Sequence, residues 1–352
     1  MKAAVWHDVK DIRVEDVEVK AVTGSKVKVE VAWAGICGSD LHAYLHDLTG
    51  TGMGVPVDEP HHITGRKAPV TMGHEFSGVV TEVGPDVTNI AIGDRVAIEP
   101  IVRDTDSSYV QKGLYNLGAF GLVGFSDDGG FAEFAVVEEY MVHKVPGNLT
   151  MEEAAMVEPL AVVHRGVTES NFKPGMTAAV FGAGPIGLLT VLTLKAAGAR
   201  EIYLVDIVEE RLALGKEIGA TRIINSLHEK PEEVIAAETE DGVDISFEVA
   251  GVQATLDSAI NVVQKGSEVV VLSVFVESPR VNFGLMMQKE LKLLSTYCYR
   301  DNFQEVLGLM SSGQIDVRPL ITSKISLEDV VEKGFEKLVE DKKQAKILVQ
   351  PK

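Results

Sequence analysis

The stretch Val180-Phe181-Gly182-Ala183-Gly184-Pro185-Ile186-Gly187 decides the fold class of this chain. It matches the pattern G-x-G-x-x-G, follows a short apolar run at Thr177–Phe181 and opens a helical pattern. Each glycine has a physical task in such a turn. Gly182 permits the tight turn, Gly184 lets the backbone approach a pyrophosphate, and Gly187 lets helix and strand pack closely. The stretch therefore predicts a dinucleotide site between a strand and a helix.

The residues that follow this motif extend the same prediction. A helix that begins at Pro185 and Ile186 presents free backbone N–H groups and its positive dipole end to phosphates. A second apolar run ends at Asp206, 19 residues beyond Gly187, which is the spacing typical of the acid that binds a ribose. A carboxylate there accepts hydrogen bonds from both ribose hydroxyls and repels a 2′-phosphate, which favours NAD over NADP. Arg211 either lies along the adenine or is a solvated helix cation.

The hydrophobic pattern divides the chain into two kinds of region. Val27, Val29 and Val31 alternate with polar residues early in the chain, which predicts a β-rich domain. Later, short apolar runs alternate with helical patterns, which predicts an α/β fold with a doubly wound parallel sheet. We expect this β-rich domain at 1–155 and 296–352 and a Rossmann domain at 156–295. The predicted strands of the second domain are Thr177–Phe181, Glu201–Val205, Arg222–Asn225, Asp244–Val249, Val269–Ser273 and Leu291–Thr296.

Composition excludes several classes of protein. The chain has 352 residues, with 33 basic and 52 acidic side chains and a net charge of −19, so binding to nucleic acid or to an anionic membrane is not expected. Two cysteines, Cys37 and Cys298, exclude a disulfide scaffold and a four-cysteine zinc site. The N-terminus has no signal-peptide pattern, and the apolar stretch 177–199 is divided by glycines and Pro185 into a strand and a helix. We expect a cytoplasmic protein.

A second set of residues has the chemistry of a metal site. Cys37 follows a predicted strand, His74-Glu75 follows Gly73, and Glu158 comes much later. Thiolate, imidazole and carboxylate together are typical zinc ligands, and three ligands with one open position are typical of catalytic zinc. From residue types alone, a single cysteine after a strand is more typical of a small core residue.

The stretch Gly73-His74-Glu75-Phe76-Ser77-Gly78, followed by Gly84 and Val87, matches the signature G-H-E-x2-G-x5-G-x2-V. On these residues the chain resembles the zinc-containing medium-chain alcohol and polyol dehydrogenases, and the resemblance covers its full length. It implies a GroES-like catalytic domain and one catalytic zinc with Cys37 and His74 as ligands. Many relatives carry a second, structural zinc on four cysteines after the segment Gly93–Val96; no cysteine lies there, so we expect one zinc per chain.

The same resemblance assigns roles to further residues. The carboxylate ligand is Glu75 or Glu158, because polyol-type members have glutamates at both places, one on the metal and one on its water or moving in during turnover. Simple alcohol dehydrogenases have a cysteine at the position of Glu158, so this residue indicates diol or polyol substrates. The family also implies a proton relay from the substrate hydroxyl to Ser39 and, through the cofactor ribose, to His42. Asp40 is expected to orient His74.

Segments such as 68–78 and Tyr299-Arg300-Asp301 resemble members of the family that act on small diols. This implies NAD-linked interconversion of 2,3-butanediol and acetoin, and reduction of diacetyl. The alternative within the same class is a polyol 2-dehydrogenase of the sorbitol/L-iditol type. The alternative from a different class is a non-catalytic relative that binds NAD. The resemblance also implies a homo-oligomer, either a dimer or a tetramer.

Overall fold

The protein divides into two compact units. The computed structural model describes residues 1–46 and 54–352. One unit contains Met1–Glu158, Phe303–Ser311 and Ile321–Lys352, and the other contains Pro159–Asn302 and Ser312–Leu320. The sequence predicts domain boundaries at 155/156 and 295/296, and the main divisions in the structure come after Glu158 and after Asn302.

The first unit begins with a series of short strands. Its strands up to residue 150 are β1 (Lys2–Asp8), β2 (Asp11–Asp16), β3 (Lys26–Gly35), β4 (Val70–Thr71), β5 (Glu75–Val83), β6 (Arg95–Ile98), β7 (Ile101–Arg103), β8 (Phe120–Leu122), β9 (Phe134–Glu138) and β10 (Val142–Lys144). Its early helices are α1 (Gly38–Leu45), α2 (Ser108–Gln111) and α3 (Met151–Ala154), with 3-10 turns at Tyr115–Leu117 and Glu139–Met141.

Strands and helices alternate through the second unit. After α4 (Val157–Glu169) come β11 (Thr177–Phe181), α5 (Pro185–Ala196), β12 (Glu201–Asp206), α6 (Glu209–Ile218), β13 (Arg222–Asn225), α7 (Pro231–Glu238), β14 (Val243–Glu248), α8 (Gln253–Val262), β15 (Val263–Val271), α9 (Phe283–Lys289) and β16 (Lys292–Ser295).

The C-terminal elements are α10 (Phe303–Ser311), β17 (Ile321–Ser326), α11 (Lys337–Glu340) and β18 (Lys346–Gln350), with 3-10 turns at Arg318–Leu320 and Leu327–Asp329 and a π-helix at Val330–Glu336.

A parallel sheet forms the centre of the second unit. Its strand order is β13-β12-β11-β14-β15-β16, so the order reverses between β11 and β14. Every residue of β11 is buried, as expected for a strand with helices on both faces of its sheet. This sheet confirms the predicted α/β fold class. A dinucleotide binds at the carboxyl ends of such a sheet, at the point where the strand order reverses.

The main sheet of the first unit explains how its distant segments come together. Its order is β10-β6-β5-β3-β18-β17, and β9 also pairs with β3. Burial alternates in a period of two from Lys26 to Val31, as the valines of β3 predict. The C-terminal strand β18 lies antiparallel to β3, with Leu348 opposite Gly35, so the end of the chain is part of the first unit.

One strand of the parallel sheet begins several residues earlier than the sequence predicts. The strand predicted at Val269–Ser273 begins at Val263 in the structure. Its first half contains the exposed residues Lys265 and Gly266, which interrupt the apolar run and hide the start of the strand from the sequence pattern. Residues 327–340 form successive 3-10, π and α turns. In the described part of the chain no helix is long and apolar enough to cross a bilayer. The apolar stretch at 177–199 contains β11 and α5, as predicted.

Candidate active site

Cys37 lies at the junction between a strand and a helix. β3 ends at Gly35 and α1 begins at Gly38, so Cys37 is the N-cap residue of α1. Its backbone N–H donates to the carboxylate of Asp40 at 2.9 Å, which fixes the entry into the helix. The fold therefore presents Cys37 in a position that suits a metal ligand.

His74 lies between Asp40 and Ser39. Asp40 and His74 are buried, and Asp40 Oδ1 is 3.3 Å from His74 Nδ1. In the described residues neither atom has another hydrogen-bond partner. On the opposite side of the ring, His74 Nε2 is 3.4 Å from Ser39 Oγ. A carboxylate at one ring nitrogen leaves the other directed at a ligand, which is how metal-binding histidines are oriented.

Glu75 is fully buried and paired with Lys346. Lys346 Nζ donates to Glu75 at 2.8 Å (Oε1) and 2.5 Å (Oε2), and also to the carbonyl of Ile36 at 3.1 Å. Gly35 leaves room for this carboxylate, since a Cβ at that residue would lie 2.2 Å from Glu75 Oε2. Burial lowers the pKa of Lys346, but the charges of Glu75 and Cys37 outweigh burial and raise it. The lysine is therefore a permanent cation inside the protein.

The ligand atoms of Cys37, His74 and Glu75 lie within 4.8 Å of one another. Burial alone lowers the pKa of His74, but the nearby Asp40 and Cys37 outweigh it and raise that pKa well above its usual range. Surroundings that stabilise an imidazolium also stabilise a metal cation. Sulfur, nitrogen and oxygen donors in one buried cluster fit zinc better than magnesium or calcium, which prefer oxygen ligands alone.

Two of the predicted residues lie outside this cluster. Glu158 is buried in the first turn of α4, and the structure does not bring it into the group formed by Cys37, His74 and Glu75. Its charge nevertheless acts on Lys346 and helps to raise the pKa of that lysine. His42 is in the last turn of α1, where burial and then the neighbouring His46 lower its pKa.

The glycine-rich turn has the geometry that its sequence predicts. Gly182 has a φ of +113°, and the N–H of Gly182 donates to Val205. Gly187 permits close packing, since a Cβ there would lie 1.8 Å from the carbonyl oxygen of Gly182. A Cβ at Gly184, the N-cap of α5, would meet no atom within 4 Å. The turn thus leaves open space at Gly184, where a pyrophosphate would approach the helix.

Three backbone amides hold Asp206 at the end of β12. Its carboxylate accepts hydrogen bonds from the N–H groups of Ala183 (2.5 Å), Ile207 (2.7 Å) and Val208 (2.8 Å). Pro185 and Ile186 form the first turn of α5. Arg211 is half-buried in the first turn of α6. The glycines, the start of α5 and Asp206 therefore share one edge of the parallel sheet.

Lys346 is the site residue that sequence reasoning missed. It is in contact with Glu75, although 271 residues separate the two in the chain. One signal was present in the sequence, because Lys346 is the charged residue in an otherwise apolar run, Ala345–Val349. Its partner depends on the pairing of β18 with β3, which the local pattern does not specify.

Comparison with known proteins gives a consistent result. Residues 23–147 match the family model described as alcohol dehydrogenase GroES-like domain, and residues 185–312 match that described as zinc-binding dehydrogenase. The chain is 44% identical to an (R,R)-butanediol dehydrogenase of Bacillus subtilis over the whole of both chains. It is 32% identical to a sorbitol dehydrogenase of the same organism, covering 100% of this chain and 97% of the other. The crystal structure of 2R,3R-butanediol dehydrogenase from Bacillus subtilis superimposes with a TM-score of 0.93 at 43% identity, covering 100% of this chain and 99% of the other.

Proposed function

The chain belongs to the zinc-binding alcohol dehydrogenase family, and on this premise we propose that it interconverts 2,3-butanediol and acetoin with NAD as cofactor. The observation that carries the chemistry is the buried cluster of Cys37, His74 and Glu75. The substrate is supported by the relatives, since identity is 44% to a butanediol dehydrogenase and 32% to a sorbitol dehydrogenase, both over nearly full length.

We assign Cys37 and His74 as the zinc ligands from this chain. Asp40 orients His74, and the start of α1 positions Cys37. Glu75 and Glu158 are the two candidate carboxylates, and both act on Lys346. The buried Lys346 can neutralise one of these carboxylates while the other is a ligand of the metal. This supports an exchange in which Glu75 and Glu158 alternate as the metal ligand.

When bound, zinc supplies a Lewis acid that lowers the pKa of the substrate hydroxyl, and NAD accepts the hydride. The protein has to remove the hydroxyl proton. Ser39 is adjacent to the ligand His74, at 3.4 Å, and can accept this proton while passing its own onward. His42 has a lowered pKa, so it is neutral at pH 7 and can take the proton before releasing it to solvent.

Asp206 supports NAD rather than NADP as the cofactor. The three amides that hold its carboxylate fix a negative charge at the end of β12. Such a carboxylate binds the ribose hydroxyls of NAD and repels the 2′-phosphate of NADP. The expected result is a higher kcat/KM with NADH than with NADPH. An Asp206→Ser variant should reduce that preference.

The direct test is oxidation of NADH by the purified, zinc-loaded protein with acetoin, in parallel with fructose. A clear preference for acetoin supports the proposal, whereas a preference for fructose would transfer the chain to the polyol enzymes. Turnover of neither ketone would contradict the substrate class. Cys37→Ser should abolish both turnover and zinc binding. Cys298→Ser is the matched control, since Cys298 is outside the cluster, and it should retain both.

We also propose that the protein is a homo-oligomer and, from its two cysteines, that it works in the reducing cytoplasm. β16 is at one end of the parallel sheet order, and apolar side chains near it, including Phe283, Met287 and Leu293, are exposed. An edge strand beside an apolar surface is suited to pairing with a second copy. Light scattering should give the mass of a dimer or a tetramer. Met287→Glu should shift that mass toward a single chain.

A further inference from the structure

Glu248 is a buried acid that the proposed reaction does not use. It is the last residue of β14 and is fully buried. Its Oε1 accepts hydrogen bonds from the N–H groups of Ala250 and Gly251, both at 2.9 Å, and from the hydroxyl of Thr255 at 2.7 Å. Its Oε2 accepts a hydrogen bond from the hydroxyl of Ser273. A carboxylate transferred from water to the interior needs such donors to remain stable.

These donors connect the segments that follow two neighbouring strands. Ala250 and Gly251 follow β14, and Ser273 follows β15. The backbone strengthens the connection, since the N–H of Leu272 donates to the carbonyl of Glu248 at 3.0 Å. In a sheet of this order, one half of a dinucleotide lies over the strands on one side of the reversal and the other half over the strands on the other. Asp206 is on the side of β12, so β14 and β15 receive the nicotinamide half.

The segment held by Glu248 also packs against the glycine-rich turn. The N–H of Val249 donates to the carbonyl of Phe181 at 3.0 Å. A Cβ at Gly182 would lie 3.1 Å from the Cβ of Ala250, and one at Gly187 would lie 3.2 Å from a methyl group of Val249. Since the turn has so little space behind it, a displacement of residues 249–251 would reach the cofactor site.

We infer that Glu248 is a positioning residue of the cofactor site, which holds the segments after β14 and β15 in the arrangement that receives the nicotinamide half of NAD. This inference rests on the proposed function, because it requires that the protein bind NAD. Glu248 is thus the counterpart of Asp206. Asp206 organises the backbone on the adenosine side, and Glu248 organises it on the nicotinamide side. Neither the Gly-rich motif nor the zinc cluster contains this residue.

The test compares the affinity of Glu248→Gln for NADH and for ADP, both measured by calorimetry on the full-length protein. The amide keeps the shape of the side chain but replaces one acceptor oxygen by a donor, so part of the network is lost. We expect the Kd for NADH to rise about tenfold, as for the loss of one well-made hydrogen bond. The Kd for ADP, which has no nicotinamide, should not change. If Glu248 acted only in folding, Glu248→Gln would lower the stability of the protein but would not change the Kd for NADH more than the Kd for ADP.

Glu268→Gln is the matched control. Glu268 is also buried in the same sheet, but it accepts hydrogen bonds from the backbone and side chain of Asn171, which precedes β11. Glu268→Gln should leave the affinities for NADH and for ADP unchanged. If Glu248→Gln does not fold, Ser273→Ala removes a single donor and should give the same selective loss for NADH. Equal changes for NADH and ADP, or no change, would overturn the inference. Failure of the unmodified protein to bind NADH would instead overturn the proposed function.

Discussion

Lys346 and Glu75 form a buried ion pair in which each charge depends on the other. Side-chain exposure is 1% for the lysine and 0% for the glutamate. Removing one partner of such a pair leaves an uncompensated charge in the interior and costs about 3–5 kcal/mol. We therefore expect Lys346→Met to lower the free energy of unfolding in urea by about that amount.

A surface pair provides the control for this prediction. Lys230 and Glu233 are 75% and 69% exposed, so water screens their charges and Lys230→Met should leave the free energy of unfolding nearly unchanged. Lys346→Arg keeps the charge and should recover part of the loss. If Lys346→Met were as stable as Lys230→Met, the buried Glu75 would not depend on the lysine. The proposal that Lys346 neutralises Glu75 or Glu158 in turn would then be wrong.

The lowered pKa of His42 predicts the pH dependence of alcohol oxidation. A histidine can accept a proton only in its neutral form, and burial keeps His42 neutral below the ordinary value near ~6.5. The activity should therefore fall on the acid side only below that pH, as His42 becomes protonated. The measurement is kcat for butanediol oxidation from pH 5 to 9, and His42→Gln should remove this acid limb.

The variant His46→Gln tests why the pKa of His42 is lowered. The charge of His46 contributes to the lowered pKa of His42, so its removal should move the acid limb to higher pH while turnover at pH 8 stays the same. An acid limb that is identical in the unmodified protein and in His42→Gln would show that another group controls it.

At the scale of elements, two glycines of the turn between β11 and α5 have different tasks: Gly187 is needed for packing and Gly184 for binding of the cofactor. The Cβ of an alanine at Gly184 would meet open space, whereas one at Gly187 would collide with the carbonyl of Gly182. Gly184→Ala should therefore fold normally but raise the Kd for NADH by about tenfold or more, because its methyl group occupies the space of the pyrophosphate. Gly187→Ala should lower stability by about 1–3 kcal/mol through overpacking.

Thermal denaturation and NADH titration of the two variants give a clear comparison. Gly308→Ala is a suitable control, since a Cβ there meets no atom within 4 Å and the residue lies in α10, in the other unit. It should change neither stability nor NADH affinity appreciably. If Gly184→Ala bound NADH as well as the unmodified protein, the pyrophosphate would not approach the helix at Gly184.

Local signals decided which elements could be predicted. β11, its turn and α5 are specified by contiguous residues, and the structure has them where the sequence predicts. The start of β15 does not follow from the pattern, because Lys265 and Gly266 interrupt the apolar run although the backbone continues as a strand. Lys346 could not be assigned to Glu75, because that contact depends on strand pairing between the two ends of the chain. Periodicity reports which face of a strand is buried, but not which strand lies beside it.

At the scale of the whole molecule, contacts of one arginine organise the segment 99–115, which contains no cysteine. The guanidinium of Arg103 lies 3.8 Å from the ring centre of Tyr115 and 4.6 Å from that of Tyr140. It also pairs with the buried Glu99 at 3.2 Å, and Glu99 in turn lies 3.1 Å from His143. A desolvated cation between aromatic rings contributes about 2 kcal/mol or more. These residues therefore give the segment a source of order that needs no metal.

We accordingly expect about one zinc per chain when the purified protein is analysed by plasma mass spectrometry, since the described residues contain a single cluster of potential ligands. Cys37→Ser should reduce this ratio toward zero, which would locate the metal. Arg103→Lys should lower the free energy of unfolding by about 1–2 kcal/mol, because a lysine cannot stack as a planar guanidinium does, yet it should leave the zinc content unchanged. A ratio of two, or a loss of zinc in Arg103→Lys, would show that this segment also binds metal and that its stability is not independent of zinc.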